Sequence, residues 1–135
     1  MSLLQVDGIT KRFGGLTAVN RFRLDVSAGE IVGLIGPNGA GKTTVFHLLS
    51  GFHVPTGGDI RFKGVSVVGA KPHEICRRGL ARTFQIVQPC VNLTALENVM
   101  VGAFNRTEDV AVARERAAEV LEFVGLGRRR RPRCG

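Results

Sequence analysis

The sequence contains no long apolar run. Its longest clean stretch, residues 99–104, is far shorter than the roughly 18 residues that a membrane-spanning helix requires. The N-terminus lacks a basic region and reaches an acid early, at Asp7, so we expect no secretory signal peptide. These absences together predict a cytoplasmic chain.

Cysteine is also scarce. The three cysteines form no Cys-x-x-Cys pair, and any single disulfide would leave one of them unpaired: Cys76, Cys90 and Cys134. We therefore expect reduced thiols. His73 precedes Cys76 by three residues, but no second pair is present to complete a zinc site. His47 and His53 are expected to be surface or core side chains and not ligands.

What is present is typical of one globular domain. Of the 135 residues, 44% are hydrophobic and 22% are charged, which suits a chain with one modest core. The 18 glycines are many for this length. Several fall where tight turns or a close backbone approach are expected, which indicates a ligand held by the main chain.

The positive charge is concentrated at one end. Of the formal net charge of +8, five charges come from arginines within residues 128–133, and no acid lies in 128–135. Such a tail can bind nucleic acid or anionic lipid, and the alternative is a solvated or aberrant terminus. We therefore divide the chain into residues 1–127 and a basic tail, 128–135, and we do not expect nucleic acid to be a partner.

Apolar periodicity predicts the first elements. Two period-two sets indicate strands of an antiparallel sheet: Leu4, Val6 and Ile9, then Phe22, Leu24 and Val26. Residues 31–35 are apolar on both faces, which is typical of a central strand of a parallel sheet. After a glycine-rich loop, a helix is expected over residues 44–50, with Gly51 ending it.

The later elements follow from turn and cap signals. A strand over 59–62 should form a hairpin with 65–68, and Pro72 should open a helix through Arg78. Residues 80–84 are predicted to be a strand, with Gln85 at its C-terminal end. Thr94 and Glu97 match a capping box for a helix to about residue 104. A further amphipathic helix, ended by Gly125, is indicated by its apolar face: Ala113, Ala117, Val120, Leu121 and Val124.

One motif carries chemistry. Residues 36–43 (GPNGAGKT) fit the phosphate-binding pattern G-x-x-x-x-G-K-[ST] at every fixed position. Its glycines let backbone N–H groups point inward at phosphate oxygens, and the following helix adds its positive N-terminal end. A chance match in a chain of this composition has a probability on the order of one per cent. The residues expected to contact the phosphates are Gly36, Asn38, Gly39, Ala40, Gly41, Lys42, Thr43 and Thr44.

The sequence segments around this loop resemble those of one protein family. Residues 10–15 (TKRFGG), 18–19 (AV), 29–31 (GEI), 36–44 (GPNGAGKTT), 55–58 (PTGG), 81–85 (ARTFQ) and 93–99 (LTALENV) are similar to the start of an ABC-transporter ATPase subunit. These segments are most similar to those of the ATP-binding subunits of high-affinity branched-chain amino-acid importers. The resemblance covers residues 3 to about 127.

The resemblance implies roles for named residues. Phe13 matches the aromatic that stacks on adenine, against the alternative of a core aromatic next to a turn. Thr43 and Gln85 match the residues that meet Mg²⁺, so the expected cofactors are ATP and Mg²⁺. Residues 86–104 match the region that docks a transmembrane permease subunit. A second ATPase subunit and a peripheral position on the inner face of the plasma membrane are also implied.

The family also carries features that this sequence does not contain. They are a Leu-Ser-Gly-Gly-Gln-like signature, an apolar strand ending in Asp-Glu, and a switch histidine; all three histidines here precede Gln85. We therefore expect an N-terminal fragment that binds Mg-ATP without turnover. Two alternatives stay open, a non-functional truncated remnant and a phosphate-loop protein associated with nucleic acid through its tail. The expected fold class is α/β: part of a P-loop NTPase core sheet, an N-terminal antiparallel β subdomain and the start of a helical subdomain.

Overall fold

A computed structural model describes residues 2–129 of the chain. Its strands and helices are, in chain order, β1 (Ser2–Phe13), β2 (Leu16–Ser27), α1 (Lys42–Leu49), β3 (Gly57–Phe62), β4 (Val65–Ser66), α2 (Pro72–Arg78), α3 (Ala95–Ala103) and α4 (Val110–Phe123). A 3₁₀ turn, Gly127–Arg129, follows α4. The chain divides into two compact units, one up to Arg82 and the other from Thr83 onward. Most of the predicted basic tail, residues 130–135, lies outside the described residues.

The strands form one antiparallel sheet in the order β2-β1-β3-β4, as the period-two pattern predicts for the N-terminal strands. In the central strand, Val6 pairs with Leu24 of β2 and with Ile60 of β3. The register with β2 shifts between Val6 and Ile9, where Gly8 takes a left-handed conformation with φ 59°. The shift brings Ile9 to the buried side although it lies three residues after Val6, because a bulge reverses the alternation of faces.

The core of the first unit joins this sheet to two helices. Its buried residues form one hydrophobic cluster: Leu4, Val6, Ile9, Val19, Val45, Leu48, Ile60, Phe62, Val67 and Ile75. Helix α1 contributes Val45 and Leu48, which lie on one face because they are three residues apart. Helix α2 contributes Ile75 and begins at Pro72, as predicted. The cluster therefore fixes the start of α1, and the loop before it, relative to the strands.

The second unit is built from α3 and α4. The predicted capping box is present: Glu97 N donates to Thr94 Oγ1 at 3.2 Å, and Thr94 N donates to Glu97 Oε2 at 2.7 Å. Asp109 caps α4 by accepting hydrogen bonds from the N–H groups of Ala111 and Val112. Both helices therefore begin where a side chain satisfies the first free N–H groups.

Alanines let these two helices approach closely. Ala113 and Ala117 of α4 are fully buried and cluster with Met100 of α3. Leu121 is buried as predicted, but Val120 and Val124 are 49% and 56% exposed, so the predicted apolar face is too wide. None of the helices between residues 2 and 129 has both the length and the apolar composition needed to cross a bilayer.

Two predicted strands are wrong for the described residues. Neither 31–35 nor 80–84 is a strand, and neither pairs with any of β1 to β4. Ile31 and Ile35 are 98% and 95% exposed, while Leu34 packs partly against the core cluster. A strand requires a hydrogen-bonded neighbour, and residues 2–129 supply none beside these segments. Gln85 consequently lies in an irregular stretch and not at the end of a strand.

Candidate functional site

The loop of residues 36–41 adopts a conformation that its glycines allow. Gly39 and Gly41 have φ values of 86° and 94°, in the left-handed region, and Ala40 N donates to Pro37 O at 3.1 Å. A Cβ on Gly41 would lie 2.4 Å from the carbonyl oxygen of Ala18 in β2. Only glycine fits this contact, so the loop is held directly against the β1–β2 hairpin.

Helix α1 begins where the loop ends. Gly41 is its N-cap and has no side chain to satisfy the first N–H groups, and the first turn contains no acid. The positive end of the helix is therefore left for an external acceptor. The predicted helix over 44–50 is confirmed, with a start two residues earlier, at Lys42.

Lys42 turns its ammonium group back toward the loop. Its Nζ donates to the carbonyl oxygens of Gly36 and Pro37, the latter at 2.8 Å. Both acceptors are neutral. A charged phosphate oxygen makes a stronger hydrogen bond with an ammonium group than a carbonyl does, so it competes favourably for this lysine.

A depression of about 430 Å³ joins the loop to the hairpin. It is lined by Phe13, Leu16, Thr17, Ala18, Asn38, Gly39, Gly41, Lys42, Thr43 and Thr44. Its volume falls within the range of small-molecule sites. The structure therefore brings Phe13 together with most of the predicted phosphate contacts. Ala40 lines a second depression of about 320 Å³ on the same loop, and Gly36 contributes the carbonyl that accepts from Lys42.

Phe13 is not a core residue. It ends β1, pairs with Leu16 across the hairpin turn, and has 43% of its surface exposed. Lys11 Nζ lies over its ring, 5.1 Å from the centroid, and the His53 ring meets it in a T-shaped contact with centroids 5.2 Å apart. The alternative of a core aromatic is thus excluded, and stacking on a base stays a prediction.

Several residues at this site were not found from the sequence. Leu16, Thr17 and Ala18 line the depression because β2 is paired with β1, and register alone could have indicated them. Lys11 lies two residues before Phe13, but the register with β2 shifts between Lys11 and Arg12, so only the fold shows its contact with the Phe13 ring. His53 carried no local signal, since it comes from the turn after α1 and meets Phe13 only in the folded chain.

The charges around the site are mainly positive. Lys11 and Lys42 place ammonium groups beside Phe13 and inside the loop. Burial lowers the pKa of His47 below its ordinary value of 6.5, and the positive charges of Arg82 and His53 lower it further. His47 lies in the last turn of α1, at the opposite end of the helix from the loop, so the ammonium group that suits an anionic ligand in the loop is that of Lys42.

The two predicted Mg²⁺ contacts lie in different units. Thr43 is in the first turn of α1 and lines the depression, where its hydroxyl suits an oxygen-coordinated metal. Gln85 belongs to the second unit, so the pairing of the two stays a prediction. Among residues 2–129 no group of three His, Cys, Asp or Glu side chains is arranged to hold a metal ion.

The predicted docking segment, residues 86–104, exposes apolar side chains. Ile86, Val87 and Val91 are 81%, 72% and 57% exposed. The segment then enters α3 at the Thr94 cap. Apolar side chains clustered at a surface are typical of protein contacts, which is compatible with the predicted role.

Comparison with known proteins gives close relatives over nearly the whole chain. The chain is 45% identical to the high-affinity branched-chain amino acid transport ATP-binding protein BraF of Pseudomonas aeruginosa. It is 43% identical to the corresponding protein LivG of Escherichia coli. Each alignment covers 92% of this chain and 54% of the relative. The chain thus spans about half the length of the curated relatives it matches.

Solved structures agree with this relationship. MJ1267, an ATP-binding cassette of an ABC transporter, matches with a TM-score of 0.85 and 28% identity, over 98% of this chain and 58% of that one. Its ADP conformation matches with a TM-score of 0.83 and 29% identity, over 98% of this chain and 57% of that one. The fold is therefore the α/β fold of these cassettes in part, as predicted.

A family model for the ABC transporter domain matches residues 19–134, which include the whole phosphate-binding loop and α1. The expected resemblance is confirmed by this match and by the relatives in amino-acid transport. The chain belongs to the ABC transporter family of ATP-binding proteins.

Proposed function

We propose that this chain binds Mg-ATP, with the triphosphate in the loop of residues 36–41 and adenine on Phe13. The observation that carries the proposal is the shared depression, which one loop, one helix start and the hairpin tip line together. Its phosphate end offers backbone N–H groups and Lys42. Its other end offers a half-exposed aromatic ring, which suits a flat base.

Different residues of this chain would bind different parts of Mg-ATP. Lys42 exchanges its loop carbonyls for β- and γ-phosphate oxygens, and the first N–H groups of α1 donate to the same oxygens. The Thr43 hydroxyl, in the first turn of α1, would hold Mg²⁺. That ion, when bound, neutralises part of the negative charge on the phosphates.

The relatives support a more specific role, as the ATP-binding part of a branched-chain amino-acid importer. BraF and LivG are ATP-binding proteins of such transport, and the identities of 45% and 43% place this chain near them. Permease subunits would bind residues 86–104, where several apolar side chains are exposed. A second ATPase subunit would complete the assembly at the inner face of the membrane.

We further propose that these 135 residues bind ATP without hydrolysing it. Turnover requires a group that accepts a proton from the attacking water, and such assistance contributes about 10²–10⁴-fold. Of the three acids that might substitute, Glu97, Glu108 and Asp109, two are already engaged: Glu97 accepts from Thr94 N, and Asp109 accepts from the first N–H groups of α4. No Leu-Ser-Gly-Gly-Gln-like signature is present in the sequence to close over the phosphates of a partner.

Calorimetric titration of the 135-residue chain tests the binding proposal, and a phosphate-release assay tests the absence of turnover. ATP with Mg²⁺ should bind to the parent and to Lys63→Met, while Lys42→Met should show no detectable binding. Lys63 is the matched control because its ammonium lies over a ring outside the site, that of Phe62. Equal ATP affinity in Lys42→Met and the parent would contradict the binding proposal. Phosphate release above the Lys42→Met blank would contradict the absence of turnover.

A further inference from the structure

Four aromatic rings of the first unit lie in contact, one after another. The Phe13 and His53 centroids are 5.2 Å apart with the planes at 76°, and those of His53 and His47 are 5.1 Å apart at 77°. His47 in turn lies 6.1 Å from Phe52. This ring series, residues 13, 53, 47 and 52, begins at the candidate base contact and ends at the C-terminal end of α1.

Backbone hydrogen bonds hold the turn that carries His53. At its α1 end, the N–H groups of Phe52 and His53 both donate to His47 O, at 2.9 and 3.2 Å. Further along, Thr56 N donates to Thr10 O at 2.7 Å, and Thr56 Oγ1 accepts from Arg12 N. Residues 52–56 are therefore fixed to α1 on one side and to the end of β1 on the other.

Lys11 adds a second restraint from β1. Its Nζ donates to Val54 O at 2.8 Å and also lies 5.1 Å from the Phe13 centroid. The ammonium occupies one face of the ring, and the hydrogen bond to Val54 keeps it there. The ammonium therefore restrains the Phe13 ring on the face that it covers.

We propose that His53 and Lys11 are positioning residues that hold the Phe13 ring in the orientation in which it accepts a nucleobase. The inference rests on the proposed binding of ATP at this site. Phe13 stands at a hairpin tip with nearly half of its surface exposed, so its own strand gives the ring little support. A ring already held in the binding rotamer does not lose that freedom when a base arrives.

The arrangement also connects the two ends of the site. Helix α1 starts at Lys42, in the phosphate loop, and its last turn contains His47 and Leu48. His47 contacts His53, which contacts Phe13. Helix α1 and the turn after it therefore connect the phosphate loop to the base contact, in addition to the direct contact between Gly41 and Ala18 of β2.

The test compares ATP with inorganic tripolyphosphate, which has the same charged chain and no base. His53→Ala should weaken ATP binding about twofold to tenfold, the cost of ordering a freed side chain when the base binds. Lys11→Met should weaken it about twofold to fivefold for the same reason. Tripolyphosphate affinity should stay within about twofold of the parent in both variants, because neither residue lines the phosphate end.

Conservative and matched variants separate positioning from general structural damage. His53→Phe keeps a ring beside Phe13 and should restore ATP affinity to within about twofold of the parent. His73→Ala, on the exposed surface of α2, and Lys63→Met, over the Phe62 ring, should leave both ligands unaffected. Unchanged ATP affinity in His53→Ala, or equal losses of ATP and tripolyphosphate, would overturn the inference; if His53→Ala fails to fold, the same two outcomes in Lys11→Met decide.

The outcomes also distinguish this inference from the proposed function. If the parent chain binds neither ligand, or Lys42→Met binds as the parent does, the ATP site itself is wrong. If the parent binds both ligands and Phe13→Ala loses ATP alone, the site is right. The positioning role then fails if His53→Ala leaves ATP affinity unchanged or weakens the binding of both ligands equally.

Discussion

Replacing Gly41 by alanine tests how the phosphate loop is held against β2. Gly39 and Gly41 have similar left-handed φ values, 86° and 94°, so an L side chain is strained at either position by about 1–2 kcal/mol. The two positions differ in the space available to a Cβ atom. A Cβ at Gly39 meets nothing within 4 Å, whereas a Cβ at Gly41 lies 2.4 Å from Ala18 O. Restoring an ordinary contact there requires the loop and β2 to separate by about 1 Å.

Such overpacking typically costs about 1–3 kcal/mol in addition to the strain. Gly39→Ala should thus lower the melting temperature by about 4–8 °C for each kcal/mol lost, and Gly41→Ala should lower it distinctly further. The assay is thermal unfolding followed by circular dichroism, without ligand. Titration should also show weaker ATP binding in Gly41→Ala, because Lys42 moves with the loop. Equal melting temperatures for the two variants would refute the contact with Ala18 as a constraint.

Three further predictions concern the base, the pH dependence and the stability. Phe13→Ala should weaken the binding of ATP and leave that of tripolyphosphate unchanged in a titration, because only ATP has a base that stacks on the Phe13 ring. Equal losses of affinity for both ligands would show that Phe13 is not part of the site. His47 has a lowered pKa, so its contribution to stability is present above its ordinary value of 6.5 and is lost as the pH falls through the folded value. His47→Gln should therefore flatten the fall of melting temperature between about pH 7.5 and pH 5.5, and a slope identical to that of the parent would contradict this assignment. The chain should aggregate or melt below about 60 °C, because apolar side chains such as Ile31, Ile35 and Phe123 are almost fully exposed. A monodisperse sample with a cooperative unfolding transition above that temperature would refute this prediction.

Features encoded by neighbouring residues could be predicted. The phosphate loop is predicted from the spacing of Gly36, Gly41 and Lys42, and Gly41, a fixed position of the motif, takes the left-handed conformation. Thr94 and Glu97 cap α3 reciprocally because the two are three residues apart, and Pro72 begins α2. In these cases the sequence alone determined the structure, since each hydrogen bond or dihedral depends on residues within one turn.

The tertiary structure decided whatever requires partners far along the chain. Residues 31–35 and 80–84 have strand-like composition, but a strand forms only beside a paired neighbour, and none of the described strands provides one. Val120 and Val124 have the spacing of a buried face, yet only contact with α3 determines how wide that face is. The apolar periodicity of the sequence indicates which residues favour burial, and the packing of helices and strands determines which of those residues are buried.

The same division runs through the candidate site. The sequence by itself predicts a phosphate-binding loop and, by resemblance, Phe13 as a base contact. Only folding places Phe13 beside that loop, because β2 presents Ala18 to Gly41 and the turn after α1 brings His53 to the Phe13 ring. His53 is 40 residues from Phe13 along the chain, and no local pattern can encode a contact that the sheet and α1 create together.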